Sequence, residues 1–165
     1  MTKILLLSDT HGYIDNQILK YIAQADEVWH AGDIGDIKVT DTIKMYKPLR
    51  GVFGNIDDNT IRLEFPENNR FFCENVEVLI THIGGYPGKY NPVIRKELQE
   101  NPPKLFICGH SHILKVMWDK KNNLLHMNPG AAGKHGFHQV RTMLRFTIDK
   151  EQIKDLEIIE LEKRK

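Results

Sequence analysis

The sequence predicts a layered α/β fold, on three observations. The first half repeats a short apolar run, a polar loop and a helical segment, which indicates strands alternating with helices. The last third carries apolar runs separated by turn residues, which is typical of antiparallel strands. A hydrophobic content of 41% and a charged content of 27% are those of a globular protein. At 165 residues, we expect one domain over residues 1–165.

In the first half, three apolar runs predict strands and the segments between them predict helices. The strands are expected at Ile4–Leu7, Glu27–His30 and Leu49–Phe53. One helix is expected where Ile18, Ile22 and Ala25 have helical spacing, and a second at Val39–Tyr46, before Pro48. Asp36 precedes the second helix and is expected to be its N-cap.

The second half is predicted to be mainly strands. These are expected at Ile61–Phe65, Arg70–Cys73, Val76–Thr81, Leu105–Ile107, Leu114–Trp118, Leu124–Met127, Arg141–Ile148 and Ile153–Leu161. The spacing in the last of these also permits a helix. The glycine- and proline-rich stretch Ile83–Pro92 is predicted to be a surface loop, and Val93–Gln99 a short helix.

Charge and cysteine content exclude several classes of protein. A net charge of +1 gives no general attraction to nucleic acid or to membranes, so attraction for a charged substrate must be local. The first strand begins too early to leave room for a signal peptide, and no apolar run approaches a membrane span. Cys73 and Cys108 lie in strand-like runs and are expected to be buried free thiols rather than a disulfide. We therefore expect a cytoplasmic protein.

Residues of the metal-ligand type follow five of the predicted strands. They are two carboxylates, one amide and four imidazoles: Asp9, His11, Asp33, Asn55, His82, His110 and His112. Strand ends in α/β folds meet at one edge of the sheet, so we expect these side chains to converge. Seven ligands exceed the four of a tetrahedral zinc ion and suit two divalent ions that share one carboxylate.

This ligand set predicts hydrolysis of a phosphoester. Two ions roughly 3.5–4 Å apart can hold the attacking and leaving oxygens of an in-line displacement, with a metal-bridging hydroxide as nucleophile. Asp33, Asn55 and His110 are the residues we expect nearest to the chemistry, with His110 or a water assisting the leaving group. Together with two aspartates and the hydroxide, the ions leave a net charge of about +1, which attracts a phosphate anion. Mixed oxygen and nitrogen ligands suit manganese, our first choice, and also iron, zinc or nickel.

The ordered ligand set resembles that of the calcineurin-like metallophosphoesterases. All five blocks of that family's pattern occur in order: Asp9-Thr10-His11, Gly32-Asp33, Gly54-Asn55-Ile56-Asp57, His82 and Gly109-His110-Ser111-His112. The length and spacing look most like the small bacterial and archaeal phosphodiesterases of the family. This resemblance implies a four-layer α/β/β/α sandwich of two mixed sheets, the metallo-dependent phosphatase-like fold.

The same resemblance implies how the ligands are shared. One ion would take Asp9, His11, His112 and the bridging Asp33, and the other would take Asp33, Asn55, His82 and His110. Ile56 stands where the motif usually has a histidine that assists the leaving group, which favours substrates with good leaving groups. A catalytically degenerate branch of the same fold exists, the retromer subunit. The alternative function is therefore a catalytically weak scaffold that binds a protein partner.

Several other residues are candidates for contact with a ligand histidine or with substrate, each with a structural alternative. Asp57 either hydrogen-bonds a ligand histidine or serves its turn. Lys89 either contacts substrate or is solvent-exposed, and Asn128 either approaches the site or shapes the backbone. The histidines outside the motif are His30, His126, His135 and His138. We expect His30 to be packed, or to contact a ligand residue, and not to bind metal itself. His126, His135 and His138 have no support from the motif, and the alternative for His135 or His138 is that their loop, residues 133–138, places one of them near substrate.

The expected partner is a small phosphoester. Near-zero net charge and the lack of a basic, aromatic stripe argue against long nucleic acid, although a nucleotide or nucleic-acid hydrolase remains a third interpretation. A homo-oligomer is compatible with the sequence, which shows no interface.

Overall fold

A computed structural model describes residues 1–162, so residues 163–165 of the predicted domain lie outside the described part. Four helices lie within the described residues: α1 (Asn16–Ile22), α2 (Ile37–Lys44), α3 (Asn59–Glu64) and α4 (Pro92–Glu100). The same residues form twelve strands: β1 (Thr2–Leu7), β2 (Glu27–His30), β3 (Leu49–Gly51), β4 (Asn68–Cys73), β5 (Val76–Thr81), β6 (Gly85–Tyr86), β7 (Lys89–Tyr90), β8 (Leu105–Ile107), β9 (Leu114–Asp119), β10 (Leu124–Pro129), β11 (Thr142–Asp149) and β12 (Gln152–Glu160).

Ten of the strands described in residues 1–162 form two mixed sheets of five strands each. The first has the order β12-β11-β1-β2-β3, in which β1, β2 and β3 are parallel to one another, β11 is antiparallel to β1, and β12 is antiparallel to β11. The second has the order β4-β5-β8-β10-β9, in which β5, β8 and β10 are parallel and the two edge strands are antiparallel. Each sheet therefore contains three neighbouring parallel strands whose carboxyl ends lie at one edge.

The two sheets pack face to face, with helices on both outer faces. Alternate residues of β1 divide between the two cores, as period-two geometry requires. Ile4 and Leu6 join the core between the sheets, whereas Leu5 and Leu7 pack in the cluster that includes residues of α1, α2 and α3. On the second sheet, Leu79 and Phe106 pack in a cluster with residues of α4, including Ile94 and Leu98. This arrangement confirms the four-layer α/β/β/α fold.

One predicted element is wrong. Ile61–Phe65 was expected to be a strand, since its apolar residues alternate with polar ones. Instead, the segment lies within α3 as far as Glu64, and Phe65 is the C-cap of that helix. Asp58 caps the helix, its Oδ1 accepting a hydrogen bond of 3.1 Å from the backbone of Ile61. Ile61 and Phe65 face the core at helical spacing, while Leu63 is 89% exposed.

Other elements match the prediction closely or differ in detail. The segment from Ile153 is a strand, β12, and not a helix. The predicted loop at Ile83–Pro92 contains a short hairpin, in which the two-residue strands β6 and β7 pair. Asp36 is the N-cap of α2, as expected. Cys73 and Cys108 are buried and free. Among the helices described in residues 1–162, none has the length and apolar character needed to cross a membrane.

Candidate metal centre

The loops that follow the parallel strands carry the seven predicted ligands. Those after β1, β2 and β3 supply Asp9, His11, Asp33 and Asn55, and those after β5 and β8 supply His82, His110 and His112. The two sheets therefore each contribute part of the set. The structure brings all seven together in one contact network, in which two three-residue clusters have the spacing of metal sites. These clusters are Asp9 with His11 and His112, and Asp33 with His82 and His110.

Five of the seven residues have left-handed backbone conformations. The φ angles of Asp9, His11, Asp33, His110 and His112 lie between +45° and +73°. Residues other than glycine rarely adopt this region, and the backbone strain of each one that does is of order 1–3 kcal/mol. The packed loops must therefore hold these residues in position. Strain of this kind concentrates at functional sites.

Asp33 lies between the two clusters. Its Oδ2 atom is 3.5 Å from Nε2 of His11 and 3.2 Å from Nε2 of His82. Oδ1 of Asp9 makes similar approaches, 3.2 Å to Nε2 of His112 and 3.8 Å to Nε2 of both His11 and His82. Both carboxylate oxygens thus face ring nitrogens of both clusters. The two approaches are more even for Asp33, 3.5 and 3.2 Å, as expected of a bridging ligand.

Each aspartate has one oxygen held by protein donors and one directed at the ring nitrogens. Oδ2 of Asp9 accepts hydrogen bonds from the Ser8 hydroxyl (2.6 Å) and the His110 backbone (3.1 Å). Oδ1 of Asp33 accepts one from the backbone of Ile56 (3.1 Å). Within residues 1–162, by contrast, Oδ1 of Asp9 and Nε2 of His11 and His82 are buried without a hydrogen-bond partner. Buried polar atoms are seldom left in this state, and a cation between them would satisfy all three.

His82 directs its Nε2 atom at the aspartates, and the tautomer of the ring decides whether this atom can bind a metal. Nδ1 of His82 lies 2.8 Å from the backbone carbonyl of Ala31, which accepts only, so Nδ1 carries the proton. In the neutral ring Nε2 is then unprotonated, as a metal ligand must be. In the same cluster, Nδ1 of His110 lies 3.0 Å from Oδ1 of Asn55, so both atoms can reach one ion.

The electrostatics of the cluster favour charged carboxylates. Burial alone would raise the pKa of Asp9, but the nearby rings of His11 and His112 and the charge of His82 lower it well below its usual range. Burial also opposes ionisation of Asp33, and contact with His82 again lowers the pKa. Burial and the charge of His82 lower the pKa of His110, which favours a neutral ring. Both aspartates are therefore anionic at neutral pH and suited to a cation.

Two recesses open beside the clusters, and Asn55 lines both. The first is a cavity of about 460 Å³ that contains His11, Asp33, His110 and His112 together with the exposed apolar residues Ile56, Ile113 and Phe137. The second, of about 380 Å³, borders His82 and has a more polar wall that includes Arg62, Glu67 and Asn91. The chain thus leaves room for substrate groups next to both clusters.

Two of the residues with alternative predictions serve the backbone around the site. The carboxylate of Asp57 accepts hydrogen bonds from the backbone of Ile34, Gly35 and Gly54, at 2.7 to 3.1 Å, and so ties two ligand loops together instead of contacting a ligand ring. Asn128 donates to the Gly109 carbonyl at 3.0 Å and so shapes the loop that carries His110.

Lys89 is not placed as a substrate contact. It lies exposed on β7, and neither recess beside the clusters includes it among its lining residues. Its contact with substrate stays a prediction without support from the geometry.

His30 is packed, as expected, and not part of either cluster. It lies 3.0 Å from the Thr10 hydroxyl through Nε2, and its Nδ1 accepts from the backbone of Gly32 at 3.1 Å. Burial lowers its pKa to about 4, so the ring is neutral and holds the two ligand loops together.

The contribution of loop 133–138 could not be derived from the motif. His135 stacks on His11 with a ring-centroid distance of 4.8 Å, and His138 lies beside His112. The nearest sequence signal was the presence of two histidines in a glycine-containing loop. That pattern carries no information on where the loop lies.

Comparison with known proteins identifies the family. A model of the calcineurin-like phosphoesterase superfamily domain matches residues 2–151. The chain belongs to this superfamily. Its members are metal-dependent phosphoesterases, and the two clusters described above are the candidate metal-binding residues of this chain. A comparison with curated protein sequences gives no significant match.

Several solved structures share the fold over nearly the whole chain. An archaeal phosphodiesterase has a TM-score of 0.78 at 19% identity, over 96% of this chain and 99% of its own. Vps29 of Entamoeba histolytica, solved in complex with zinc, has a TM-score of 0.73 at 15% identity, over 96% and 98%. A predicted phosphoesterase from Streptococcus pneumoniae has a TM-score of 0.66 at 20% identity, over 97% and 98%. At these identities the similarity establishes the fold.

Proposed function

We propose that the chain is a dinuclear metal-dependent phosphodiesterase of the cytoplasm. The observation that carries this proposal is the set of three buried, unpartnered polar atoms, Oδ1 of Asp9 and Nε2 of His11 and His82, directed at the same space as Oδ2 of Asp33. Asp9, His11, Asp33 and His112 would hold one ion. Asp33, Asn55, His82 and His110 would hold the other.

When bound, the ions would supply positive charge and an activated water for attack on phosphorus. The protein residues orient this chemistry. Ser8 and the backbone of His110 and Ile56 fix the two carboxylates. His110 borders the first recess with a neutral ring, so the nitrogen it does not use as a ligand can donate to the leaving oxygen. Ile56 offers no such donor, which is why a good leaving group is expected to matter.

The wall of the first recess supports a diester over a monoester. Among the described residues that line it, none is a lysine or an arginine. A phosphomonoester carries close to two negative charges at neutral pH, and the second would have no protein cation there. A diester carries one charge, and the two recesses offer space for its two ester groups.

The test is turnover of an activated phosphodiester, such as bis-p-nitrophenyl phosphate, with and without added Mn²⁺. We expect metal-dependent hydrolysis that falls by at least 10²-fold in Asp33→Asn, because the substitution removes the shared negative charge while keeping the shape of the side chain. Lys120→Ala, which alters an exposed residue outside both recesses, is the control. Lack of turnover in the wild type, or equal turnover in Asp33→Asn, would refute the proposal.

The second candidate function is a protein-binding scaffold. The exposed apolar side chains of Ile56, Ile113 and Phe137 around the first recess favour it, because exposed apolar groups that lie together suit a protein partner. The intact ligand set argues against it, since a scaffold has no need of seven metal-ligand side chains. Stable capture of a partner by protein that binds no metal would favour the scaffold.

A further inference from the structure

We propose that loop 133–138 is a positioning element for one of the two metal positions, the one formed by Asp9, His11 and His112. His138 is its main residue, and it acts by determining which ring nitrogen of His112 carries the proton. This inference rests on the metal binding of the proposed function but not on the reaction.

The first step is the tautomer of His138. Its Nε2 atom lies 2.8 Å from the backbone carbonyl of Gly133. A carbonyl only accepts, so Nε2 carries a proton and donates. In a neutral ring the proton is then absent from Nδ1, which is left as an acceptor.

The second step is the tautomer of His112, which follows from that of His138. Nδ1 of His138 lies 3.2 Å from Nδ1 of His112. Because the His138 atom accepts, the His112 atom donates and must carry the proton. In a neutral His112 ring the lone pair is then on Nε2, the atom that lies 3.2 Å from Oδ1 of Asp9 and would face an ion bound there. Metal-binding histidines need this arrangement, with one nitrogen donating to the protein and the other free for the ion.

The rest of the loop packs against the same metal position. A Cβ atom on Gly136 would lie 2.2 Å from Nδ1 of His112, so only glycine lets the backbone lie against that ring. His135 stacks on His11 at 4.8 Å. The amide of Gly133 donates to the carbonyl of Asp9 at 3.2 Å, which joins the loop to the strand end that carries Asp9 and His11. Together with His138, four residues of the loop thus contact the residues of one cluster.

The other metal position is supported differently. His82 donates to the backbone carbonyl of Ala31 at the end of β2, within the packed core. Its geometry therefore does not depend on loop 133–138. Disturbing the loop should weaken one metal position and leave the other unchanged.

The experiment is a titration of metal-free protein with Zn²⁺, followed by calorimetry and by the metal content after dialysis. We expect wild-type protein to bind two ions. In His138→Ala the affinity at one position should fall about 10–100-fold, the usual effect of removing a group that orients a ligand, while the other position keeps its affinity. His138→Asn, whose Oδ1 restores an acceptor beside His112, should recover most of the loss. Gln139→Ala, an exposed neighbour, is the control.

A second readout separates positioning from general damage to the loop. In zinc-loaded protein labelled with ¹⁵N in histidine, NMR should detect a hydrogen-bonded proton on Nδ1 of His112. That signal should be lost or shifted in His138→Ala and kept in Gln139→Ala.

Each outcome bears on the inference separately from the function. Two unaltered affinities in His138→Ala, or no recovery in His138→Asn, would overturn the inference. If the wild type binds two ions and His138→Ala loses one, but no phosphodiester is hydrolysed, the inference stands and the proposed function fails. A wild-type protein that binds no ion overturns both.

Discussion

At the scale of single residues, the site depends on close approach as well as on ligands. The two aspartates lie against glycines: a Cβ atom on Gly54 would lie 2.1 Å from Oδ1 of Asp33, and one on Gly109 would lie 2.8 Å from Oδ2 of Asp9. Both glycines belong to the sequence motif. Their role is to leave space for a carboxylate whose oxygen is held in one direction.

This packing predicts the effect of Gly54→Ala. The added methyl group would also lie 2.3 Å from the backbone nitrogen of Asp33, so the loop after β2 must shift. We expect a loss of stability of about 1–3 kcal/mol, as for other overpacked sites, and weaker binding at both metal positions because Asp33 is shared. Urea unfolding and zinc titration measure the two effects.

The control for this substitution is Gly88→Ala. A Cβ atom there would meet no atom within 4 Å, although its φ of +90° makes the variant slightly strained. It should lose some stability and no metal affinity. Unchanged zinc affinity in Gly54→Ala would contradict the proposal that Asp33 is a ligand at both metal positions.

At the scale of elements, β10 carries a buried histidine that makes stability depend on pH. His126 is fully buried and packs near Phe106 and Tyr90, with ring-centroid distances of 5.8 and 6.1 Å. Neither ring nitrogen has a hydrogen-bond partner within residues 1–162. Burial and the charge of Lys115 lower its pKa from 6.5 to about 4.

The sign of the effect follows from proton binding. Between pH 6.5 and 4 the unfolded chain protonates this residue and the folded chain does not, so the free energy of unfolding falls as the pH falls. The contribution is complete above pH 6.5, and about 3 kcal/mol is lost by pH 4. His126→Leu should therefore flatten the pH dependence of stability in that range, measured by urea unfolding of metal-free protein. Met127→Leu, at a buried position on β10 that does not titrate, should leave the slope unchanged, and an equal change in both variants would count against this explanation.

The elements also show where sequence patterns are informative. Continuous apolar runs such as Leu105–Ile107 identified the central strands, because a strand that is buried on both faces has an almost uninterrupted apolar sequence. The error at Ile61–Phe65 arose because alternation over five residues fits both a strand and one face of a short helix. Asp58, a helix-capping residue three positions before Ile61, was the signal that distinguishes them.

At the scale of the whole molecule, the five motif blocks were enough to predict the convergence of seven side chains from two sheets. Each block directly follows a parallel strand, and the geometry of such sheets brings those ends together. The contacts of His138 and His135 could not be predicted in this way. Their loop precedes an antiparallel strand, β11, and reaches the site only because β11 lies beside β1.

The two recesses around Asn55 predict a substrate preference. With Mn²⁺ present, kcat/KM for an aryl methyl phosphodiester should exceed that for the matching aryl phosphomonoester by at least tenfold, because the first recess has no lysine or arginine among its described residues. Ile56→Lys would add a cation there and should narrow the ratio mainly by improving the monoester. A wild-type preference for the monoester would show that the wall of the recess does not select the substrate.

The division of the ligands between the two sheets has a consequence for folding. Asp9 and His112 are more than one hundred positions apart and belong to opposite halves of the sandwich, so a complete site exists only after the sheets have docked. We expect this docking to be completed only after the folding transition state, so that ions bind on the native side of the barrier. They would prolong the life of the native molecule by slowing its opening and leave the speed of its formation almost unchanged.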